Sequence, residues 1–217
     1  MRFAPIPVAA ALVVVLGACG SPQAAQDEAP VDDPAVATEG QALEPTQEIF
    51  GPGEFELTTA DGAQITMQIP ADPPADIEAF REEVGAEPVT YMTAQLDNRK
   101  GSTAVGMYQV TLYDPEGNTY VFEDASVSHI GEWGPTYTED YEYLLNDGTK
   151  LDESTGEALS SQSTDLYNKY LNSGNVDALA KGEAVMMGAF EEVPEEITGV
   201  AVQAYGMGEP EYAVPSD

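Results

Sequence analysis

Cysteine, histidine and tryptophan occur once each in this 217-residue chain, as Cys19, His129 and Trp133. A single cysteine closes no intramolecular disulfide. One cysteine and one histidine also fall short of the cluster of Cys, His and carboxylate that a structural zinc site needs. Nucleophilic catalysis is narrowed as well, because a serine needs a base beside it. Ser128 adjoins His129, but neighbours on a strand point to opposite faces, so a hydrolytic site would need a distant serine to meet His129 in the fold. Basic residues are scarce: seven Lys and Arg stand against 39 Asp and Glu, for a formal net charge of −32. Such a charge repels nucleic-acid phosphates and anionic lipid surfaces, which argues against DNA or RNA as partners. Solubility, hydrated cations, basic partners and a salty habitat suit it. No Gly-rich phosphate loop or dinucleotide fingerprint is present, since the glycines fall in turns and GMGE around Met207 reads as tail. Paired carboxylates could hydrolyse a glycoside, but among so many acids some pair always exists and the count decides nothing.

What is present begins with Met1-Arg2 and an apolar run from Phe3 to Leu16, followed by an abrupt change at Ser21 to Ala, Pro, Asp, Glu and Gln. One positive residue, a short apolar region and small residues at its exit have the layout of a secretory signal. Leu16-Gly17-Ala18-Cys19 resembles a bacterial lipobox, in which a peptidase cuts before the cysteine and the cysteine is then acylated. Residues 1–18 are therefore expected to be a lipoprotein signal peptide, with lipidated Cys19 holding the chain to the outer face of the cell membrane. Losing residues 1–18 removes Arg2 and no acid, which takes the charge from −32 to −33. From Cys19 to residue 50 there is no apolar period, and Ala, Pro, Gln and acids dominate, the composition of a disordered acidic tether. A flexible chain of that length reaches roughly 30 Å. No later hydrophobic stretch is long enough to cross a membrane as a helix.

Residues 51–217 have the size of one domain with a proper core. Short alternating runs broken by Gly, Pro, Asn and Asp predict an antiparallel all-β fold. In FELTTADGAQITMQIP, Asp61-Gly62 separates Phe55/Leu57 from Ile65/Met67/Ile69, a hairpin with a tight type I′ turn. DPPADIEAFREEVG predicts a short helix capped by Asp72, with Ile77, Phe80 and Val84 on one face and Gly85 as its stop. PVTYMTAQLDN places Met92, Ala94 and Leu96 on one face and Tyr91 and Thr93 on the other. AVGMYQVTLYD then turns at Pro115-Glu116-Gly117-Asn118 and returns as TYVFEDA. Residues 126–180 read as an irregular insertion with a short helix over DLYNKYLNSG, and strands resume in EAVMMGAF and ITGVAVQAY.

Three stretches carry a family resemblance: Leu96-Asp97-Asn98, then Leu112 to Tyr120 (LYDPEGNTY), then Lys181-Gly182-Glu183 followed by Gly188 to Pro194 (GAFEEVP). They resemble a strand ending in Asn, an Asp-x-x-Gly turn before an aromatic, and a closing Phe-x-x-Val-Pro strand. These are features of Ig-like β-sandwich domains in actinobacterial and Gram-positive lipoproteins, a family related to the mycobacterial immunoprotective extracellular protein. The likeness spans residues 88–204. It implies an Ig-like antiparallel β-sandwich, with one or two short helices in insertions, displayed at the cell surface. It transfers no catalytic residue. This chain departs from the family in its heavier acidic charge and its longer middle insertion.

Within that insertion, His129, Trp133, Tyr137, Tyr141 and Tyr143 form the candidate binding surface, because aromatic rings on loops offer large, stiff contact area. The opposing reading is that the rings cover an open end of the sandwich. Calcium takes oxygen ligands, and NDGTKLDESTGE supplies Asn146, Asp147, Asp152 and Glu153, but without EF-hand spacing. The expectation is a lipid-anchored, non-enzymatic binding module for a protein or envelope ligand. A calcium-binding or salt-adapted surface module and an envelope hydrolase are the alternatives.

Overall fold

Alternating apolar and polar residues become strands in the computed structural model, which describes residues 48–205 and 209–216. In chain order these are β1 (Gly53–Thr58), β2 (Gln64–Ala71), helix α1 (Ala75–Val84), β3 (Thr90–Asp97), β4 (Val105–Tyr113) and β5 (Thr119–Asp124). A π-helical turn (Ser126–Ile130), α2 (Gly131–Trp133), β6 (Thr136–Tyr137), β7 (Tyr143–Leu144), β8 (Lys150–Leu151) and α3 (Glu153–Tyr170) follow. The chain ends with β9 (Asn175–Val176), β10 (Lys181–Gly188), β11 (Gly199–Tyr205) and β12 (Glu211–Pro215). The signal peptide expected over 1–18, Cys19 and nearly all of the tether lie outside the described residues.

Eight strands hydrogen-bond in the order β11-β12-β1-β2-β3-β10-β5-β4, and β4 pairs back onto β11. All these pairings are antiparallel. The all-β expectation holds, but one continuous ladder closes into an eight-stranded barrel, and the two separate sheets of an Ig-like sandwich are not what this pairing describes. Closure rests partly on β12, which lies beyond the last strand that the alternation predicts. It bridges β11 to β1 through Val200↔Ala213 and Phe55↔Pro215. Closing the ladder leaves neither edge of the eight strands unpaired.

A barrel of eight strands is just wide enough for side chains to fill it. Phe55, Ile65, Met67, Ile69, Met92, Leu96, Leu112, Phe122 and Met186 are all fully buried there. Each such side chain stabilises the fold by roughly 1.5–3 kcal/mol. The inward faces predicted for β1, β2 and β3 are the ones observed.

β10 is apolar without alternation because both of its faces are covered. Ala184 and Met186 point into the barrel, while Val185 and Met187 join a second core on its outer wall. That second core contains Ile77, Phe80 and Val84 of α1, together with Trp133, Leu159, Leu166 and Tyr170. α1 starts behind Pro74 with no side-chain cap, so Asp72 does not cap it, and Gly85 ends it at φ 66°. α3 begins well before the predicted DLYNKYLNSG. Its buried stripe is Gly156, Leu159, Ser163, Leu166 and Tyr170. The spacing is helical, but glycine and serine within the stripe hide it from a hydrophobicity reading.

One five-residue reversal recurs four times. In each, the first residue's N–H donates to the fifth residue's carbonyl, and the fourth residue's N–H donates back to the first carbonyl: Thr59–Ala63, Asp114–Asn118, Thr138–Glu142 and Leu145–Thr149. The fourth residue has positive φ throughout: Gly62 (91°), Gly117 (84°), Tyr141 (62°) and Gly148 (85°). This is a type I turn closed by a left-handed bulge residue. Asp61 does not share Gly62's positive φ, so the first hairpin is not the expected type I′.

Candidate functional site

Three of these four turns place glycine at the left-handed position, where a Cβ is unfavourable. The third places a tyrosine there. TADGA and TEDYE are the same turn with Gly62 replaced by Tyr141, and the Thr hydroxyl accepts from the fifth residue's N–H in both, at 3.1 Å from Ala63 and 3.3 Å from Glu142. A bulky residue in this conformation signals strain maintained by its surroundings. Tyr141 is nevertheless 82% exposed, so burial does not explain its presence.

The turn joins β6 to β7 in a small three-stranded sheet, β6-β7-β8. Tyr137 and Tyr143 are direct cross-strand partners. Their rings lie 4.7 Å apart at 47°, and Tyr141 stands edge-on to Tyr137 at 6.4 Å and 73°. At the inner end, Tyr143 packs on α3 at Gly156, where a Cβ would come within 2.2 Å of ring atom Cγ. The three rings thus form a ladder from the helix to solvent: Tyr143 is half-buried, Tyr137 is 55% exposed and Tyr141 is the outermost.

Carboxylates surround the ladder. Glu139 and Asp140 occupy the turn and are exposed. Glu142 pairs with Lys150 across the sheet. Desolvation, followed by the charges of Glu157, Tyr137 and Glu153, raises the pKa of the Tyr143 hydroxyl. The surface therefore combines exposed aromatic rings with net negative charge.

The five aromatic residues expected as one surface separate into two groups. Tyr137, Tyr141 and Tyr143 form the ladder, whereas Trp133 is 7% exposed and belongs to the second core. His129 is half-buried, with its ring 6.0 Å from that of Trp133. Burial lowers its pKa, against the opposing charges of Glu132 and Glu123. It borders a shallow hollow lined by Gln109, Val121, Glu123, Glu132, Met187 and Ala189, which contribute no hydroxyl or thiol nucleophile.

The calcium candidates are engaged in local structure. Asn146 Nδ2 donates to the Glu132 carbonyl at 2.8 Å, and Asp147 accepts from the Thr149 N–H at 2.7 Å. Asp152 is the N-cap of α3, accepting from Thr155 N–H at 3.0 Å and from the Ser154 and Thr155 hydroxyls at 2.6 and 2.7 Å. These bonds hold its carboxyl far below the usual carboxylate range. Glu153 lies in the first turn of the helix. Among the described residues, no group of three or more His, Cys, Asp or Glu is placed to hold a metal ion.

Sequence reading missed Gly156 as the seat of Tyr143 and the left-handed backbone of Tyr141. The second had a visible signal in the parallel between TADGA and TEDYE. Among the described residues, no helix is long and apolar enough to cross a membrane. Scans against protein-family models, curated proteins and solved structures find no match.

Proposed function

We propose that this chain is a lipid-anchored, non-enzymatic binding module displayed outside the cytoplasmic membrane, and that the tyrosine ladder is its binding face. The observation that carries the reading is Tyr141. A highly exposed ring in a backbone conformation that disfavours it contributes little to the fold, so its place is better explained by contact with something else. Tyrosine is also well suited to interfaces, since it offers a large, stiff ring with a polar tip. Anchoring through acylated Cys19 rests on the lipobox-like Leu16-Gly17-Ala18-Cys19, with the acidic tether holding the barrel clear of lipid headgroups. Kinship with the Ig-like lipoprotein family belongs to the same proposal. Of the stretches that carry that resemblance, Leu96-Asp97 ends β3, Leu112 to Tyr120 spans the β4–β5 turn, and Lys181-Gly182-Glu183 begins β10.

Two measurements test the reading. Cys19→Ala is expected to move the protein from the membrane fraction to the soluble fraction, and an unchanged distribution refutes the anchor. A photo-cross-linking residue at position 141 is expected to form adducts on intact cells that the same residue at exposed Tyr108 does not. Equal labelling at both positions removes the ladder as the binding face.

A further inference from the structure

The ladder has a chemical bias that its shape alone does not reveal. Its two outer rings, Tyr137 and Tyr141, stand next to Glu139 and Asp140 on the same turn, and Glu142 lies one residue further on. Among the described residues, Lys150 is the one cation paired with this group, at Glu142. A neutral ligand covering the rings would strip water from these carboxylates and leave their charge uncompensated, which is costly. A cationic ligand compensates that charge, and it is also attracted to the negative faces of the rings.

Resting on the reading of the ladder as a binding face, we infer that its occupant is a basic peptide segment of a protein partner. Guanidinium or ammonium groups stack on Tyr141 and Tyr137 while pairing with Glu139 and Asp140. Arginine is favoured over lysine, because its planar guanidinium can lie flat on a ring and bond a carboxylate in the same pose. The net charge of −32 draws such a segment toward the protein from a distance, and the ladder determines where it settles. The left-handed turn adds preorganisation, holding Tyr141 edge-on to Tyr137 before the ligand arrives and reducing the ordering cost of binding.

The test uses the full chain in detergent micelles at physiological salt, titrated with hepta-arginine, hepta-lysine and hepta-citrulline of equal length. Hepta-arginine is expected to bind more tightly than hepta-lysine, and uncharged hepta-citrulline is expected not to bind. The paired variant Tyr141→Gly with Tyr137→Thr is chosen because glycine suits the turn and threonine suits the strand, so the fold is retained. It is expected to weaken hepta-arginine binding about tenfold, as two exposed cation–π contacts imply. The control Tyr108→Thr with Tyr212→Thr, at two other exposed tyrosines, should leave affinity unchanged. Equal loss in both variants, or none in either, would mean that diffuse charge attraction is the whole effect and overturns the inference. Specific cross-linking at position 141 without a preference for hepta-arginine also overturns it while leaving the binding face standing. Absence of both signals removes the face as well.

Discussion

The barrel and the small sheet on its flank place aromatic rings in opposite ways. Phe122 is fully buried; one of its pairing partners, Val110, lies on the adjacent hairpin strand, but the other, Gly188, comes from a distant part of the chain. Tyr137, Tyr141 and Tyr143 come from one short hairpin, and their geometry is set by a local turn and a single glycine on α3. A ring enclosed by long-range pairing is tied to the stability of the whole domain. A ring positioned by a local turn can remain in solvent and can change with little effect on the barrel. A surface that must bind something is better built in the second way.

The strongest challenge to this contrast is a pair of truncations. Phe122→Ala is expected to cost about 3–5 kcal/mol, lowering the urea midpoint and raising amide exchange in all barrel strands. Trp133→Ala, in the second core, is expected to cost a similar about 3–5 kcal/mol. Its exchange should rise first in α1, α3 and the flanking sheet, with β1, β2 and β12 still protected. Identical exchange patterns would show that barrel and flank form a single cooperative unit, and the contrast would fail. The same experiment settles Trp133, whose ring is core in this structure and lies outside the proposed binding face.

Gly156→Ala should have a smaller effect. The added methyl collides with Tyr143 close to its backbone, where the side chain cannot swing away. Overpacking of this kind costs about 1–3 kcal/mol, partly offset by up to about 1 kcal/mol of improved helix propensity. A lower melting temperature and altered near-ultraviolet tyrosine dichroism are expected. A variant as stable as the parent, with unchanged dichroism, would show that α3 does not seat the ladder.

The smallest effect has the opposite sign. Tyr141→Gly should stabilise the domain by about 1 kcal/mol, because glycine adopts the left-handed conformation without a Cβ penalty. The urea midpoint measures it. A destabilised variant would mean that the ring contributes to the fold, and would remove the argument that strain is kept there for binding.

Much of the barrel was legible in the sequence. Strand pattern located β1 to β5, β10 and β11, and period-two alternation assigned the inward faces of β1, β2 and β3, because a face buried on one side only leaves its mark on every second residue. The middle insertion was harder to read. α3 carries Gly156 and Ser163 in its buried stripe, chosen for close approach rather than hydrophobicity, so the helical period was obscured. The candidate surface was half legible: aromatic content pointed to Tyr137, Tyr141 and Tyr143, but composition could not separate them from Trp133, which is equally aromatic and buried.

By itself the sequence determined the all-β class, the inward faces of β1, β2 and β3, the acidic character and the lipobox-like start, because each is written in the order of neighbouring residues. Tertiary structure decided that the sheet closes through β12 and the β4–β11 pairing, that Trp133 faces a core while Tyr141 faces water, and that Gly156 receives Tyr143. Those outcomes depend on which distant segments meet, and a local pattern of polar and apolar residues is compatible with more than one such meeting.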